Sequence, residues 1–287
     1  MRRVLALVMV LISVMSAGCG GEPNSLFDAA GYHLRDGRVY YLNTFPGKAF
    51  DVSGADADSF EVLDGGFARD RGAVYLDGRA LPDADPASFE LLDRAGYAKD
   101  ARQVYARDRV ISSDPEHFEL LGGDLSRDRA AVYWPDGSVL SDDPEHFEII
   151  SNAERYLFTR DKQNVHVNGN PVAGADPQSY RVLGEAYGTD RDGAFYFDGP
   201  IADADAASLR HLEGAYAVDV RRAYWMGKEI RGATPAGFRV LDAAFECSAD
   251  DDEAFYRDGV ITDVDPRSFP AGAGVTGCSA TGIAFTN

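Results

Sequence analysis

The sequence predicts an all-β protein: an array of about eight repeats of 29–33 residues, each a β-hairpin or small meander with one helical turn. Three observations carry this. An anchor residue recurs at Phe60, Phe89, Phe118, Phe147, Tyr180, Leu209, Phe238 and Phe269, at spacings of 29, 29, 29, 33, 29, 29 and 31. A fixed period near thirty marks a repeat architecture, in which each unit buries its apolar surface against its neighbours. Between anchors the apolar runs are short and rich in β-branched and aromatic residues, as in Val104-Tyr105 and Val110-Ile111. Asp-Gly or Asn-Gly pairs punctuate them at Asp77-Gly78, Asp136-Gly137, Asn168-Gly169, Asp198-Gly199 and Asp258-Gly259. Such a pair between strand-like runs is the strongest short-range signal for a tight hairpin.

Repeat length favours an open, solenoid-like stack of small sheets, because a four-stranded propeller blade takes roughly forty residues or more. A closed, propeller-like ring is the alternative.

In chain order, Arg2-Arg3, an apolar run from Val4 to Met15 and then Ser16-Ala17-Gly18 form an export leader over residues 1–18. The run is too short to cross a bilayer and matches the apolar core of a secretory signal peptide. The small residues ahead of Cys19 resemble the lipobox of bacterial lipoproteins, although Ser16 stands where that family usually carries Leu. The resemblance implies acylation of Cys19, with palmitate among the expected chains. Gly20 replaces the Asp that signals inner-membrane retention in such proteins, which implies the outer membrane. Residues 19–30 then form a lipidated cysteine and tether, with Gly20 to Ser25 as the spacer.

The repeat array occupies residues 31–270. Its first copy runs from Gly31 through Val39-Tyr40-Tyr41 to Phe60 and carries an insertion around Asn43 to Ser53, as terminal repeats often do. Within each unit, the Asp-Pro step at Asp85, Asp114, Asp143, Asp176 and Asp265 places an N-cap before a proline at the first helical position. That reads as a single helical turn. The anchor then re-enters a strand, with Glu or Arg after it in the first seven copies facing solvent. Residues 271–287 form a C-terminal capping tail.

Charge narrows the partners. Twenty-eight Lys and Arg against 47 Asp and Glu leave a net charge of −19, and loss of the leader takes this to −21. Such a surface repels phosphate backbones and has no basic cluster to offset that, so nucleic acid is excluded as a partner. Of three cysteines, Cys19 is assigned to lipid, leaving Cys247 and Cys278 as a pair in an oxidising compartment. A disulfide between them is the simplest use. No CxxC and no His at ligand spacing supports a metal site, and no cofactor is expected.

The units resemble the DKNYY family of bacterial repeat proteins, whose motif is an Asp-Lys turn, a Val-Tyr-Tyr strand, a Gly turn and an Asp-Pro-x-x-Phe step. The closest local matches are Asp161-Lys162-Gln163-Asn164-Val165, and Asp100 through Val104-Tyr105 with Asp114-Pro115 to Phe118. The resemblance covers about Tyr32 to Phe269, with Arg, Ala or Val often in place of Lys. It implies a secreted or lipid-anchored repeat protein and assigns no chemistry to any residue.

The remaining constellations have bland readings beside their functional ones. His117, His146, His166 and His211 replace other residues at fixed repeat positions, and only His33 is unplaced. Asp190-Arg-Asp192-Gly193 and Ala249-Asp250-Asp251-Asp252-Glu253 resemble fragments of calcium loops. They also fall where Asp70, Asp100 and Asp128 punctuate other copies, and a structural Asx turn is the preferred reading. An aromatic ladder of Tyr75, Tyr105, Tyr133, His166, Tyr196, Tyr224 and Tyr256 is read as core packing, with binding of sugars or peptide as the alternative. Trp134 and Trp225 follow ladder residues directly, so alternation puts them on the opposite face. If that face is exposed they are the contact residues of choice.

The expected protein is thus a lipid-anchored envelope component acting as a binding or scaffolding module for an unidentified envelope protein or glycan, and not an enzyme. A structural spacer and a cation-dependent envelope enzyme are the competing readings. An active site needs residues that break the repeat, and Cys247, Cys278 and the insertion near Phe45-Pro46 are ill suited to catalysis.

Overall fold

A computed structural model describes residues 21–64, 66–153 and 155–286. The leader and Cys19 lie outside the described residues. Two compact units are present, one ending at Ser113 and one beginning at Asp114.

The first unit opens with a three-stranded sheet, Gly31–Arg35, Arg38–Leu42 and Ala49–Asp51 (sheet 1). Sheet 2 follows with Glu61–Val62, Phe67–Arg69, Val74–Leu76 and Arg79–Ala80. Sheet 3 has Glu90–Leu91, Tyr97–Lys99, Val104–Ala106 and Arg109–Ser112. The second unit carries five more four-stranded sheets, sheet 4 (119–141), sheet 5 (148–171), sheet 6 (181–200), sheet 7 (210–229) and sheet 8 (239–260). A hairpin of Val275–Ser279 and Gly282–Phe285 ends the chain. Every four-stranded sheet is an antiparallel meander in which each strand pairs with the next, and none closes into a barrel. The predicted repeat is therefore a four-strand meander, and the predicted array is a series of such sheets within each unit.

The helical turn is regular in two copies, as the 3-10 helices Pro235–Gly237 after Thr234 and Pro266–Ser268 after Asp265. Elsewhere it is a single hydrogen-bonded turn, closed for example by Ser88 N–H donating to the Asp85 carbonyl at 3.3 Å and Ser179 N–H to Asp176 at 3.2 Å. The residues after each anchor, from Glu61 to Arg239, are exposed as the alternation predicts.

Register is set by an aspartate between the second and third strands of each four-stranded sheet: Asp70, Asp100, Asp128, Asp161, Asp190, Asp219 and Asp250, all buried. Counting from it corrects two expectations. The ladder residue lies five positions on, as in Asp70 and Tyr75, so sheets 6 and 8 present Phe195 and Phe255 there. Tyr196 and Tyr256 stand one position further, half-buried on the other face of their strands. Likewise Gly199 and Gly259 begin fourth strands, and the turns are Phe197-Asp198 and Arg257-Asp258. Phe197 and Arg257 carry the positive φ, 54° and 58°. A one-residue slip moves a side chain to the opposite face, which is why the error matters.

Both faces of these sheets are covered, and the anchor fills the gap between neighbours. Phe60 lies between Tyr32 and Tyr75, with ring centroids at 5.3 and 5.5 Å. Phe89 lies between Phe67 and Tyr105. Tyr180 lies between Phe158 and Phe195, and Phe238 between Tyr216 and Phe255. Each of these four anchors thus bridges an aromatic of one sheet, in its second strand except for Tyr32, to the ladder aromatic of the next. Ring pairs at these separations add to a burial of roughly 1.5–3 kcal/mol per large apolar side chain. Arginines stitch the same joints: Arg69, Arg127 and Arg160 reach across to the carbonyls of Pro86, Pro144 and Pro177 at 3.3, 3.3 and 3.0 Å.

In sheet 8 the second-strand aromatic is replaced by Cys247, which forms a disulfide with Cys278 in the terminal hairpin, Cα atoms 6.0 Å apart. The pairing expected from the cysteine count is present. Phe285 of that hairpin packs on the last anchor, Phe269, at 4.9 Å, so residues of the expected capping tail cover the final sheet.

Candidate functional site

A four-strand meander has two ends, and in this chain they differ in chemistry. One end holds the turn between strands two and three together with the Asp-Pro turn. Here the buried aspartate acts as a clamp. Asp219 Oδ1 accepts the N–H groups of Arg221 and Arg222, both at 2.7 Å, while Oδ2 accepts the Asp205 N–H at 2.8 Å and the Tyr224 hydroxyl at 2.7 Å. Asp70 and Asp100 repeat all four bonds with Tyr75 and Tyr105. Asp190 and Asp250 make the three backbone bonds, their ladder residue being Phe. Their carboxylates are therefore engaged by N–H donors, the geometry of the structural turn. Burial pushes the carboxyl pKa values of Asp70, Asp100, Asp219 and Asp250 up, but the donors outweigh it and hold all four below the ordinary carboxylate value.

The histidines belong to this end or to packing. His117 and His146 occupy the place of Ser59 and Ser88, and their Nδ1 atoms lie 2.7 Å from Asp114 and Asp143 Oδ1. His166 replaces a ladder tyrosine; burial lowers its pKa, against the pull of Asp161. His211 Nε2 lies 2.8 Å from the Gly214 carbonyl, and His33 Nε2 the same distance from that of Ala29.

The other end holds the turns between strands one and two and between three and four. In the four-stranded sheets six of the seven latter turns have two residues, the first always left-handed and in three of them the second as well, as at Asp77-Gly78 (φ 49° and 76°) and Met226-Gly227 (φ 49° and 73°). Glycine is needed there for space too. A Cβ on Gly78 or Gly227 would sit 2.4 and 2.5 Å from Tyr41 and Tyr196 of the preceding sheet.

Sheets 4 and 5 depart from this pattern together. The last turn of sheet 4 is enlarged to five residues, Trp134 to Ser138, closed by Trp134 N–H donating to the Ser138 carbonyl and Gly137 N–H to that of Trp134, both at 2.9 Å. Sheet 5 has the longest first hairpin of any four-stranded sheet, Glu148–Ala153 with Tyr156–Arg160, which accounts for the anchor spacing of 33. Between these two departures lies a recess of about 510 Å3 lined by Gly123, Asp124, Trp134, Asn152, Leu157 and Asn168. Trp134 is half-buried, packed against the cluster of Leu125, Val132, Phe147 and Leu157, and a Cβ on Gly169 would meet its ring at 2.9 Å. Asn168 is fixed by accepting the Leu157 N–H at 2.8 Å and donating to the Arg155 carbonyl at 3.1 Å, whereas Asn152 and Asp124 stand exposed on the rim.

The two tryptophans are thus not equivalent. Trp225 is 9 % exposed, packed in the cluster of Tyr216, Ile230 and Phe238, with the Arg257 guanidinium 5.5 Å from its ring centroid. It is core and offers no contact surface, which corrects the expectation that it shares a recognition face with Trp134. Sequence reasoning missed the recess because it is built from two loop enlargements in different repeats. The spacing of 33 was the visible signal for one of them.

No curated protein and no solved structure matches this chain at significance. The model of the DKNYY family matches residues 32–167, 67–199 and 158–214. Together these span most of the sheets described above, and the meander of sheet 8, beyond the matched residues, keeps the same clamp and anchor geometry. The chain belongs to the DKNYY family.

Proposed function

We propose that this protein is a lipid-anchored component of the cell envelope, held at the outer membrane through Cys19, whose repeats present a binding site for an envelope protein or glycan. The observation that carries the binding role is the recess beside Trp134. It is where two departures from the repeat meet, and it offers a partly exposed indole beside exposed polar groups on Asn152 and Asp124. Aromatic side chains in such settings contribute disproportionately to recognition, and pockets of this volume suit small ligands or a single anchoring group. An acidic surface of net charge −21 without the leader keeps the array soluble and away from nucleic acid.

The test is capture from the native envelope with wild-type and Trp134→Ala chains. The variant is expected to melt within about 2 kcal/mol of wild type, since a half-buried ring loses less than a core one, and to lose at least one captured partner. Retention of every partner by a folded Trp134→Ala chain would favour the structural spacer. Anchoring is tested separately: Cys19→Ala abolishes incorporation of a fatty-acid probe, and continued labelling of that variant removes the anchor.

A further inference from the structure

The insertion around Phe45 is a repeat-breaking feature that neither the clamp nor the recess uses. It forms the enlarged last turn of sheet 1, with Gly47 N–H donating to the Thr44 carbonyl at 2.7 Å. The segment read as a tether folds against it. Asn24 and Lys48 form an isolated antiparallel bridge, and Asn24 to Asp28 make a tight turn of their own. In that turn Phe27 and Asp28 N–H donate to the Asn24 carbonyl at 2.9 Å, Leu26 N–H donates to Asn24 Oδ1 at 3.0 Å, and Asp28 pairs with Arg35 at 2.6 Å.

Two turns tied side by side present Leu26, Phe27 and Phe45, which are 68 %, 87 % and 70 % exposed. They are three of the four most exposed large apolar side chains among the described residues. Hydrogen bonds hold the backbone of both turns while the side chains point to solvent. That arrangement wastes apolar area unless another phase covers it.

We infer that this patch seats sheet 1 on the lipid surface, its two turns dipping Leu26, Phe27 and Phe45 into the interfacial region of the bilayer. The occupant follows from chain length. Leu26 is seven residues from Cys19, and seven residues reach at most about 25 Å even fully extended. A chain anchored at Cys19 therefore carries the patch within reach of the headgroups at all times. Phe45 is remote from Cys19 in sequence and joins the patch only through the Asn24–Lys48 bridge. The net negative charge argues for apolar docking on zwitterionic lipid and against attraction to an anionic surface, so seating is insensitive to salt. The consequence is orientation: the first unit is held against the membrane in a fixed pose instead of swinging on a tether.

This inference rests on acylation of Cys19, and the experiment separates the two. The mature acylated chain is placed in phosphatidylcholine vesicles containing dibrominated phosphatidylcholine, with single reporters Phe27→Trp, Phe45→Trp, Leu34→Trp or Val220→Trp. The signal of the native tryptophans is subtracted. Leu34 is 51 % exposed in the same sheet, at its opposite end, and Val220 is 68 % exposed in sheet 7, so both serve as controls. Quenching at positions 27 and 45 is expected to exceed that at 34 and 220 at least threefold, unchanged between 0.05 and 0.5 M salt. Equal quenching at 45 and 34 in an acylated, vesicle-bound chain overturns the docking. Absence of fatty acid on Cys19 overturns the anchor, and the docking falls with it.

Discussion

The two ends of each meander have been put to different uses. At the clamp end all seven sheets keep the buried aspartate, five of the seven with the same three backbone N–H donors, while substitutions fall on the ladder residue and on the Asp-Pro turn, where Ala57 and Ala206 stand for Pro and Thr234 and Gly237 for Asp and Ser. At the hairpin end, turns vary in length and residue type, and the enlarged ones build the Trp134 recess and the Phe45 loop. The difference teaches where variation is tolerated. A buried carboxylate with three or four donors fails as a unit when one part changes, whereas an exposed turn has only its own backbone geometry to satisfy.

The largest expected effect tests the clamp directly. Asp219→Ala leaves the N–H groups of Asp205, Arg221 and Arg222 and the Tyr224 hydroxyl without their acceptor in a buried site. At about 1–3 kcal/mol for each unsatisfied group, partly relieved by water, a loss of about 4 kcal/mol or more is expected in urea unfolding. A loss under about 1 kcal/mol would erase the distinction between the ends.

The disulfide sharpens the comparison in sheet 8, where the ladder residue is Phe255 and Asp250 has no tyrosine donor. If the clamp alone held this sheet, the Cys247–Cys278 bond would matter little. Its loop of 31 residues corresponds to about 3–4 kcal/mol in the chain-entropy model. Cys278→Ser is therefore expected to lower stability by that order, seen as early fraying in hydrogen exchange at residues 247–285. Two free thiols in the oxidised, denatured wild-type chain would remove the premise.

Acid breaks the clamp without mutation. The carboxyls of Asp70, Asp100, Asp219 and Asp250 are held below their ordinary value of 3.8 in the folded chain. Groups with depressed folded pKa values contribute stability that is present above the unfolded value and is lost as pH falls through the folded ones. Melting temperature is thus expected to be flat on this account from pH 7 to about 5 and to drop steeply below 3.8. The drop should be shallower in Asp219→Asn, which no longer titrates at one clamp. An equal acid slope in that variant would place the sensitivity elsewhere.

How much of this was legible depended on range. The anchor period, the turns at Asp77-Gly78 and Asn168-Gly169 and the Cys247–Cys278 pair follow from residue types at fixed spacings, and these are in the structure. Tyrosine is a misleading mark of register at Tyr196 and Tyr256, because the element common to the four-stranded sheets is the aspartate five residues before the ladder. The fit of Gly78, Gly169 and Gly227 beneath Tyr41, Trp134 and Tyr196 was invisible, since each pair joins neighbouring repeats and neither residue looks unusual alone. The same holds for the arginine stitches at Arg69, Arg127 and Arg160. The burial of Trp225 against the exposure of Trp134 was undecidable from alternation, because both faces of these sheets are covered.

The smallest effect is the finest probe of the comparison. Nature has already placed Phe at the ladder position of sheets 6 and 8, so Tyr224→Phe removes one donor from Asp219 and leaves the three backbone bonds in place. A single hydrogen bond to a buried carboxylate lost in this way costs about 1–2 kcal/mol. Asn152→Ala, at the exposed rim of the recess, is expected within about 0.5 kcal/mol of wild type. Measured side by side in urea, the ratio of the two reports how far the clamp end outweighs the hairpin end once side-chain size is nearly matched. A Tyr224→Phe chain as stable as wild type would mean that the hydroxyl is spectator to a clamp made wholly of backbone bonds. In that case the acid sensitivity would belong to the Asp carboxylates and their N–H partners alone, and the ladder tyrosines would be held by ring packing between sheets.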